Sequence, residues 1–137
     1  LHMTKSRRNF LKYTLPTVAW ASLMLIVSSL PGTALPQGPA FFEWDKLAHA
    51  GEYAIFALLF FRYLVGGRNV PIPRAYLLVA VCVPLFGILD ELHQVFIPFR
   101  TCSWQDMVAD AGGALIALLL VQIQFIRKRI VRDSNNR

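Results

Sequence analysis

Four long apolar stretches alternate with short polar segments along the chain, and each stretch has the length of a membrane-spanning helix. We place them at residues 14–35, 46–65, 75–97 and 104–126. About 20 helical residues cross the ~30 Å hydrocarbon core of a bilayer. None of the stretches shows the alternation of apolar and polar positions that marks a strand of a membrane barrel. The pattern predicts an all-α membrane protein, a bundle of four transmembrane helices.

The composition and the placement of charge support this interpretation and predict an orientation. Apolar residues make up 55% of the chain and charged residues 16%, a balance that would leave a small soluble protein with large exposed apolar patches. Basic residues are concentrated before the first stretch, between the second and third, and after the fourth, as Lys5, Arg7, Arg8, Lys12, Arg62, Arg68, Arg74, Arg127, Lys128, Arg129, Arg132 and Arg137. Because positive residues that flank membrane spans stay in the cytoplasm, both termini are expected there. The same placement explains the net charge of +6 without nucleic-acid binding, which we do not expect.

The chain is expected to form one membrane domain with short basic ends. Residues 1–2 are interpreted as a cloning remnant, residues 3–13 as a basic cytoplasmic segment, residues 14–126 as the membrane domain and residues 127–137 as a basic cytoplasmic tail. Arg7 and Arg8 begin a stretch that resembles a twin-arginine export signal. No A-x-A cleavage site follows this stretch. The first helix is therefore expected to remain as an anchor, with cleavage or export through the twin-arginine route as the alternative.

Small residues and cysteines indicate how the helices associate. Small residues recur at four-residue spacing in the second and fourth stretches, as Ala50, Ala54, Ala109, Gly113 and Ala117. Such spacing lets helix backbones approach closely in lipid, so these two helices are expected to pack together, with a homodimer seam as the alternative. Cys82 lies in mid-span and Cys102 in a loop. About 22 Å of helix separates them, whereas a disulfide needs Cα atoms within about 7 Å, so no disulfide is expected.

Polar side chains are gathered at one end of the stretches, the expected outer end. Seven of the eight acidic residues and two of the three histidines lie there. The group comprises Glu43, Asp45, Lys46, His49, Glu52, Tyr53, Asp90, Glu91, His93, Gln94, Arg100, Asp106 and Asp110. Residues three or four apart share one face of a helix, and ionisable groups at membrane depth are costly enough to mark a functional site. The pattern predicts one polar pocket at headgroup depth that faces outward.

Proton transfer and anion binding both fit the residue types of this pocket. His49 can exchange protons near neutral pH, and His49, Glu91 and Asp106 are the candidate acid–base residues of a catalytic site. Arg100 can hold a phosphate or a carboxylate through two parallel hydrogen bonds. The candidate ligand-binding residues are Arg100, Gln94, Asp90, Asp110, Tyr53 and Lys46.

A divalent metal ion is a further option for the same residues. The candidate ligands are His49, Glu91, His93, Asp106 and Asp110. Imidazole and carboxylate ligands suit zinc, manganese or magnesium. No diagnostic motif such as H-E-x-x-H is present, so the residue pattern leaves the cofactor unspecified.

Structural roles are the alternative for several of these residues. Helix-start or interfacial positions would account for Asp45, Lys46, Ser103, Asp106 and His93. Ser103 and Asp106 fit the S-x-x-D capping box, in which both residues serve only to begin a helix. Carboxylates paired with Arg100 and His49 would likewise hold the helices together without any chemistry.

At these residues the chain resembles the VanZ-like family. The matching blocks are Asp45-Lys46-x-x-His49-x-x-x-Tyr53, Asp90-Glu91-x-x-Gln94, Pro98-x-Arg100, and Asp106 with Gly113, over roughly residues 40–120. One position departs from the family pattern, since Asp110 stands where an asparagine is usual. The resemblance implies a small multi-pass protein of the bacterial cytoplasmic membrane. The family is named for an accessory protein of resistance to glycopeptide antibiotics, especially of the teicoplanin type.

Three functional hypotheses follow from the pocket and the resemblance. The first is an accessory protein of the cell envelope that binds an envelope lipid, a lipid-linked cell-wall precursor or a lipoglycopeptide, and so contributes to glycopeptide resistance. The second is a membrane-embedded hydrolase or transferase that acts on a phosphate- or acyl-bearing lipid, with or without a metal ion. The third is a scaffold whose ion pairs only hold the helices together.

Overall fold

Four long helices account for most of the structure, a computed structural model that describes residues 4–34 and 39–135. In chain order they are α1 (Lys5–Ser28), α2 (Pro39–Arg62), α3 (Ile72–Gln94) and α4 (Trp104–Asn135). Each contains a segment long and apolar enough to cross a membrane, and the described ranges contain no strand. The predicted class, an all-α membrane protein built on four transmembrane helices, is confirmed. The interpretation of residues 1–2 and the side chain of Glu43 lie outside the described part.

The first helix begins earlier than the predicted start at residue 14. Thr4 caps it, because its side chain accepts a hydrogen bond from the Arg7 N–H at 3.3 Å. Pro16 therefore lies inside the helix and not in its first turn. A π-helical turn at Phe10–Thr14 ends two residues before the proline, and this wider turn accommodates a residue that cannot donate a backbone hydrogen bond.

The fourth helix continues through most of the segment predicted as a separate basic tail. It extends to Asn135, whereas the prediction ends the membrane helix at residue 126. Arginine and lysine are good helix formers, and cations near a helix C-terminus interact favourably with the helix dipole. The basic residues thus extend the helix beyond the span and do not end it.

α2 and α4 pack against each other more extensively than any other pair in the described ranges, as their small residues predict. Gly113 of α4 lies against the Ala50 carbonyl of α2, and a Cβ atom at Gly113 would collide with that oxygen. The neighbouring Gly112 faces open space. α3 packs across this pair. The buried core between the three helices includes Tyr53, Phe56, Ala57, Val79, Val83, Ala114 and Ala117.

α1 lies beside α2 and completes a bundle with two chemically distinct ends. Trp20 of α1 donates from Nε1 to the Glu52 carbonyl oxygen of α2 at 3.1 Å. We call the end at which α1 and α3 finish and α2 and α4 begin the acidic end, and the opposite one the basic end. At the acidic end the Gly32 N–H donates to the Pro98 carbonyl oxygen at 3.1 Å. This bond joins the loop after α1 to the loop after α3.

Candidate functional site

Polar side chains from three helices meet at the acidic end of the bundle. The buried ones are Tyr53, Asp90, Glu91, Gln94, Asp106 and Asp110, and the partly exposed ones beside them are Asp45, His49, Glu52 and Arg100. Buried polar groups need hydrogen-bond partners, and buried charges need pairing or a metal ion. The partners of each group therefore indicate what the site can do.

His49 of α2 and Asp110 of α4 form the more buried of the two ion-pair contacts in the described residues. His49 Nδ1 lies 3.0 Å from Asp110 Oδ1, and the Asp110 side chain is fully buried. Asp110 fits at this depth because residue 87 of α3 is glycine, where a Cβ atom would lie 2.7 Å from the second carboxylate oxygen. A carboxylate can only accept hydrogen bonds, so Nδ1 carries a proton in this pair. In the neutral imidazole, Nε2 is then left with the free lone pair.

Lys46 and Asp106 form a second contact between the same two helices. Lys46 Nζ lies 2.9 Å from Asp106 Oδ1, and the lysine side chain is 46% exposed. A surface pair of this kind contributes about 0–1 kcal/mol. The contact therefore does little for stability, but it shows that the Asp106 carboxylate points toward α2.

Glu91 of α3 replaces Asp106 in the second half of the predicted capping box. Ser103 Oγ accepts a hydrogen bond from the Asp106 N–H at 3.3 Å, which is the first half of the box. The Ser103 N–H donates instead to Glu91 Oε2 at 2.8 Å. Asp106 is therefore not the acid of a capping box, and its carboxylate remains available to α2.

A cleft of about 210 Å³ lies between α1, α2, α3 and the loop after α3. Its charged lining consists of Asp45, His49, Glu52, Asp90 and Arg100. Met24 and Val27 of α1 form an apolar wall, and Ser28 adds a hydroxyl. The sequence does not predict this contribution of α1, because the apolar stretch at residues 14–35 carries no charged residue to mark it as part of the polar group.

Arg100 lines this cleft and has no acidic partner among the described residues. Its Nη2 is 3.5 Å from the Ser28 carbonyl oxygen, which is a weak contact. Its buried Nε has no hydrogen-bond partner within the described ranges. The ion pairs expected between Arg100 and carboxylates in a purely structural network are therefore not formed there. A guanidinium held in this way keeps donors available for an anionic group.

Several buried oxygen atoms in and around the cleft also lack a partner in the part of the chain that is described. They are Tyr53 Oη, Asp90 Oδ1, Glu91 Oε1 and Asp110 Oδ2. The other oxygen of Asp90 makes only a long contact of 3.5 Å with Gln94 Nε2. Nearly all buried polar groups in proteins are hydrogen-bonded to protein or to water. The site thus has acceptor capacity that the protein itself does not use, which is typical of a site that holds water or a ligand.

Three residues of the acidic end are placed so that they could share a metal ion. Asp45, His49 and Asp106 each offer one ligand atom, and these atoms lie within 4.8 Å of one another. His49 and Asp106 are predicted metal candidates, whereas Asp45 is predicted as a member of the polar group, with a helix-start or interfacial charge as its structural alternative. Asp110, a third candidate, lies behind His49 on the Nδ1 side. The sequence does not reveal the role of Asp45, because its approach to Asp106 depends on how α2 and α4 are rotated.

The two remaining metal candidates lie outside this group. His93 Nε2 is 3.1 Å from the Oγ of Ser29, the residue directly after α1, at an exposed position. Glu91 is held by the backbone of Ser103 at the start of α4. A single centre that uses all five candidates is therefore not formed.

Comparison with known proteins identifies the family. The profile of the VanZ/LLP1 family matches residues 1–126, which include α1, α2, α3 and most of the apolar part of α4. No curated protein and no solved structure gives a significant match. The match agrees with the resemblance carried by the polar blocks at the acidic end. The chain belongs to the VanZ/LLP1 family and is a multi-pass membrane protein of that family.

Proposed function

We propose that this protein binds the headgroup of a phosphate-bearing membrane lipid, or of a lipid-linked cell-wall precursor, in the cleft at its acidic end. The observation that carries the proposal is Arg100, whose guanidinium lines the cleft without an acidic partner among the described residues. A charged side chain at the edge of a membrane bundle needs a counter-charge. Phosphate is the anion that the lipid headgroup layer supplies, and the planar guanidinium matches it through two parallel hydrogen bonds.

The other charges of the cleft narrow the class of headgroup. Asp45, Glu52 and Asp90 share the lining with Arg100, so a headgroup with negative charge alone would be repelled by three carboxylates. A headgroup that combines a phosphate with hydrogen-bond donors meets both parts of the lining. The ammonium of an aminophospholipid and the hydroxyl or amide groups of a lipid-linked precursor have this chemistry.

The size of the cleft favours a headgroup over an antibiotic. Pockets for drug-sized ligands are about 300–1,000 Å³, whereas this cleft measures about 210 Å³. Among the expected ligands, a lipoglycopeptide is therefore too large to be enclosed. A contribution to glycopeptide resistance would then act through the lipid or precursor held at the outer face of the membrane, and not through capture of the drug.

The surface of α1 offers a place for the acyl chains of such a lipid. Met24 and Val27 form the apolar side of the cleft. α1 also exposes Leu23 and Ile26, and Leu30 is exposed just after its end. A lipid whose headgroup enters the cleft therefore has apolar helix surface beside it at the depth of its chains.

Lipid retention by the purified protein tests the proposal. The full chain in detergent would be mixed with phosphatidylethanolamine, phosphatidylglycerol, a polyprenyl phosphate or diacylglycerol, and bound lipid would be measured by native mass spectrometry. Phosphatidylethanolamine should bind more tightly than the polyprenyl phosphate, whose headgroup carries negative charge alone. Arg100→Gln should weaken binding of phosphatidylethanolamine about tenfold or more, because a hydrogen bond to a charged group contributes about 1.5–3 kcal/mol.

Arg74→Gln is the matched control, since it removes the same charge from an exposed position at the basic end. The control should bind lipid as the parent protein does. Equal losses in both variants, or equal retention of diacylglycerol, which lacks a phosphate, would contradict the proposal. Circular dichroism of each variant would show that the helices are retained.

A second candidate function is enzymatic, and the contact between His49 and Asp110 favours it. An imidazole oriented by a buried carboxylate is the arrangement by which many proteins position a general base. Glu91 and Asp106, the other candidate acid–base residues, are held by Ser103 and Lys46, so His49 is the residue on which this candidate depends. Mass spectrometry of phosphate- and acyl-bearing lipids after incubation with the protein tests it. Absence of any hydrolysis or transfer product, with and without added divalent metal, would exclude catalysis on those lipids.

A further inference from the structure

Asp45, His49 and Asp106 bring three metal-ligating side chains together at the acidic end. Asp45 and His49 are one helical turn apart on α2, and Asp106 reaches them from the first turn of α4. Their ligand atoms lie within 4.8 Å of one another. Ligand atoms bound about 2.1 Å from one ion are about 3–4.2 Å apart, so small side-chain rotations would close the group. We propose that this trio binds one divalent cation.

The donor set selects among the divalent cations. One imidazole nitrogen and two carboxylate oxygens are present. Calcium and magnesium prefer sites made only of oxygen, whereas imidazole suits zinc and other transition metals, and carboxylates extend this range to manganese. Zn²⁺ and Mn²⁺ are therefore the cations of the proposal, with water completing the coordination.

The environment of His49 prepares it for this role. Its Nδ1 is 3.0 Å from Asp110 Oδ1, and that carboxylate is fully buried. Metal-bound histidines usually donate their other ring N–H to a carboxylate or a carbonyl, which fixes the orientation and the tautomer of the ring. Nε2, the remaining nitrogen, is the one that would bind the ion. Asp110 is then a positioning residue and not a ligand.

Independent observations in the cleft that Asp45 and His49 line also call for a cation. Asp90 is 7% exposed and Tyr53 is 1% exposed, and both line the cleft with an oxygen that has no hydrogen-bond partner among the described residues. The described carboxylates of the acidic end are Asp45, Glu52, Asp90, Glu91, Asp106 and Asp110, against the cationic side chains Lys46 and Arg100 and the imidazole of His49. Buried negative charge of this kind is ordinarily paired or bound to metal. A hydrated divalent cation would neutralise part of this charge, and its water molecules would supply donors to the unused oxygen atoms.

The Lys46 ammonium would compete with such an ion for the Asp106 carboxylate. Its Nζ is 2.9 Å from Asp106 Oδ1, and its side chain is 46% exposed. A long, half-exposed lysine can move away at little energetic cost, because exposed ion pairs are weak. Lys46 thus places a positive charge where the ion would bind, and its removal should strengthen cation binding.

The test of the cation site is separate from that of the proposed lipid function, although Asp45 and His49 also line the cleft. The trio would bind the ion in detergent without any lipid, whereas lipid retention depends on Arg100. Arg100→Gln should leave cation affinity unchanged within about threefold, since Arg100 lies outside the trio and acts on the ion only through screened charge.

Direct titration of the full-length protein tests the inference. Protein in detergent, stripped with a chelator and dialysed, would be titrated separately with Zn²⁺ and Mn²⁺, and bound metal would be measured by elemental mass spectrometry. One equivalent per chain is expected. Asp45→Asn, His49→Gln and Asp106→Asn should each lower affinity by about tenfold or more, since loss even of groups that only support a ligand lowers metal affinity about 10–100-fold.

Glu52→Gln is the matched control, because Glu52 lines the same cleft and carries the same charge but lies outside the trio. It should lower affinity by less than about threefold, as expected for a charge that acts without coordination. Lys46→Met should raise affinity, a gain that misfolding could not produce. Co²⁺ bound at the site should give visible d–d absorption that changes in His49→Gln. Absence of stoichiometric binding, or equal losses in Glu52→Gln and Asp45→Asn, would overturn the inference.

Discussion

Glu91 of α3 accepts a hydrogen bond from the backbone N–H of Ser103 at 2.8 Å, and this contact fixes the start of α4 against the end of α3. It also determines what Asp106 does. In a complete capping box the third residue of the helix would accept from Ser103, but Glu91 already fills that position. The Asp106 carboxylate is thereby left to reach Lys46 and the face of α2.

This relationship predicts that Glu91 is needed for stability. Glu91→Ala should lower the free energy of unfolding by about 1–3 kcal/mol, because the partly buried Ser103 N–H loses its acceptor. Glu91→Gln retains an acceptor oxygen and should have the smaller effect. Thermal unfolding in detergent, followed by circular dichroism, would measure both. Thr101→Ala, at an exposed position of the same loop, should change stability by less than about 0.5 kcal/mol.

The contact of Gly113 with Ala50 predicts opposite effects for the same substitution at adjacent residues. A Cβ atom at Gly113 meets the carbonyl backbone of α2, whereas one at Gly112 meets nothing within 4 Å. Gly113→Ala should destabilise the bundle by about 1–3 kcal/mol through overpacking. Gly112→Ala should instead stabilise the helix by about 0.5–1 kcal/mol. Denaturation by SDS or heat would measure the pair, and a neutral Gly113→Ala would contradict the close approach of α2 and α4.

The contact of His49 with Asp110 predicts that the acceptor matters more for folding than the charge does. Asp110→Asn keeps an oxygen that can accept from Nδ1, so the variant should fold with a stability within about 1 kcal/mol of the parent, the typical net contribution of one hydrogen bond. Asp110→Leu leaves the half-buried imidazole without its acceptor and should be the more destabilising change. An Asp110→Asn protein that fails to fold would show that the ion pair itself holds the bundle together.

The two cysteines of the chain can test the predicted orientation of the bundle. Cys82 and Cys102 are both free and exposed, in agreement with the prediction that they form no disulfide. Cys102 lies in the loop at the acidic end, whereas Cys82 lies within the apolar span of α3. A membrane-impermeant maleimide applied to intact spheroplasts should label Cys102 if the acidic end faces outward.

Cys102→Ser should abolish that labelling, whereas Cys82→Ser should leave it unchanged, because a thiol among acyl chains is not accessible to a water-soluble reagent. Labelling that appears only after lysis would place the acidic end in the cytoplasm. That result would contradict the outward pocket and the cytoplasmic termini that the positive-inside rule predicts.

The sequence by itself determined the number of helices, their membrane character and the end of the bundle at which the polar groups collect. These properties depend only on residues close together in the chain. A backbone that crosses lipid must satisfy its own hydrogen bonds, so each long apolar stretch forms a helix. Residues three or four apart share a face of that helix. The same local reasoning placed Gly113 at a helix contact. It did not predict how far α1 and α4 continue beyond the apolar stretches, through the cap at Thr4, the π-helical turn before Pro16 and the helical basic segment after residue 126.

Only the tertiary structure decided which polar groups meet. Helix periodicity gives the face on which His49 or Asp106 lies, but not the rotation of one helix against another, which depends on packing at contacts such as Gly113 with Ala50. That rotation pairs His49 with Asp110, turns Asp106 toward Asp45 and Lys46, and leaves Arg100 without an acid among the described residues. Long-range contacts of this kind depend on angstrom-scale differences in helix position. The periodicity of residue types along one helix does not reveal those differences.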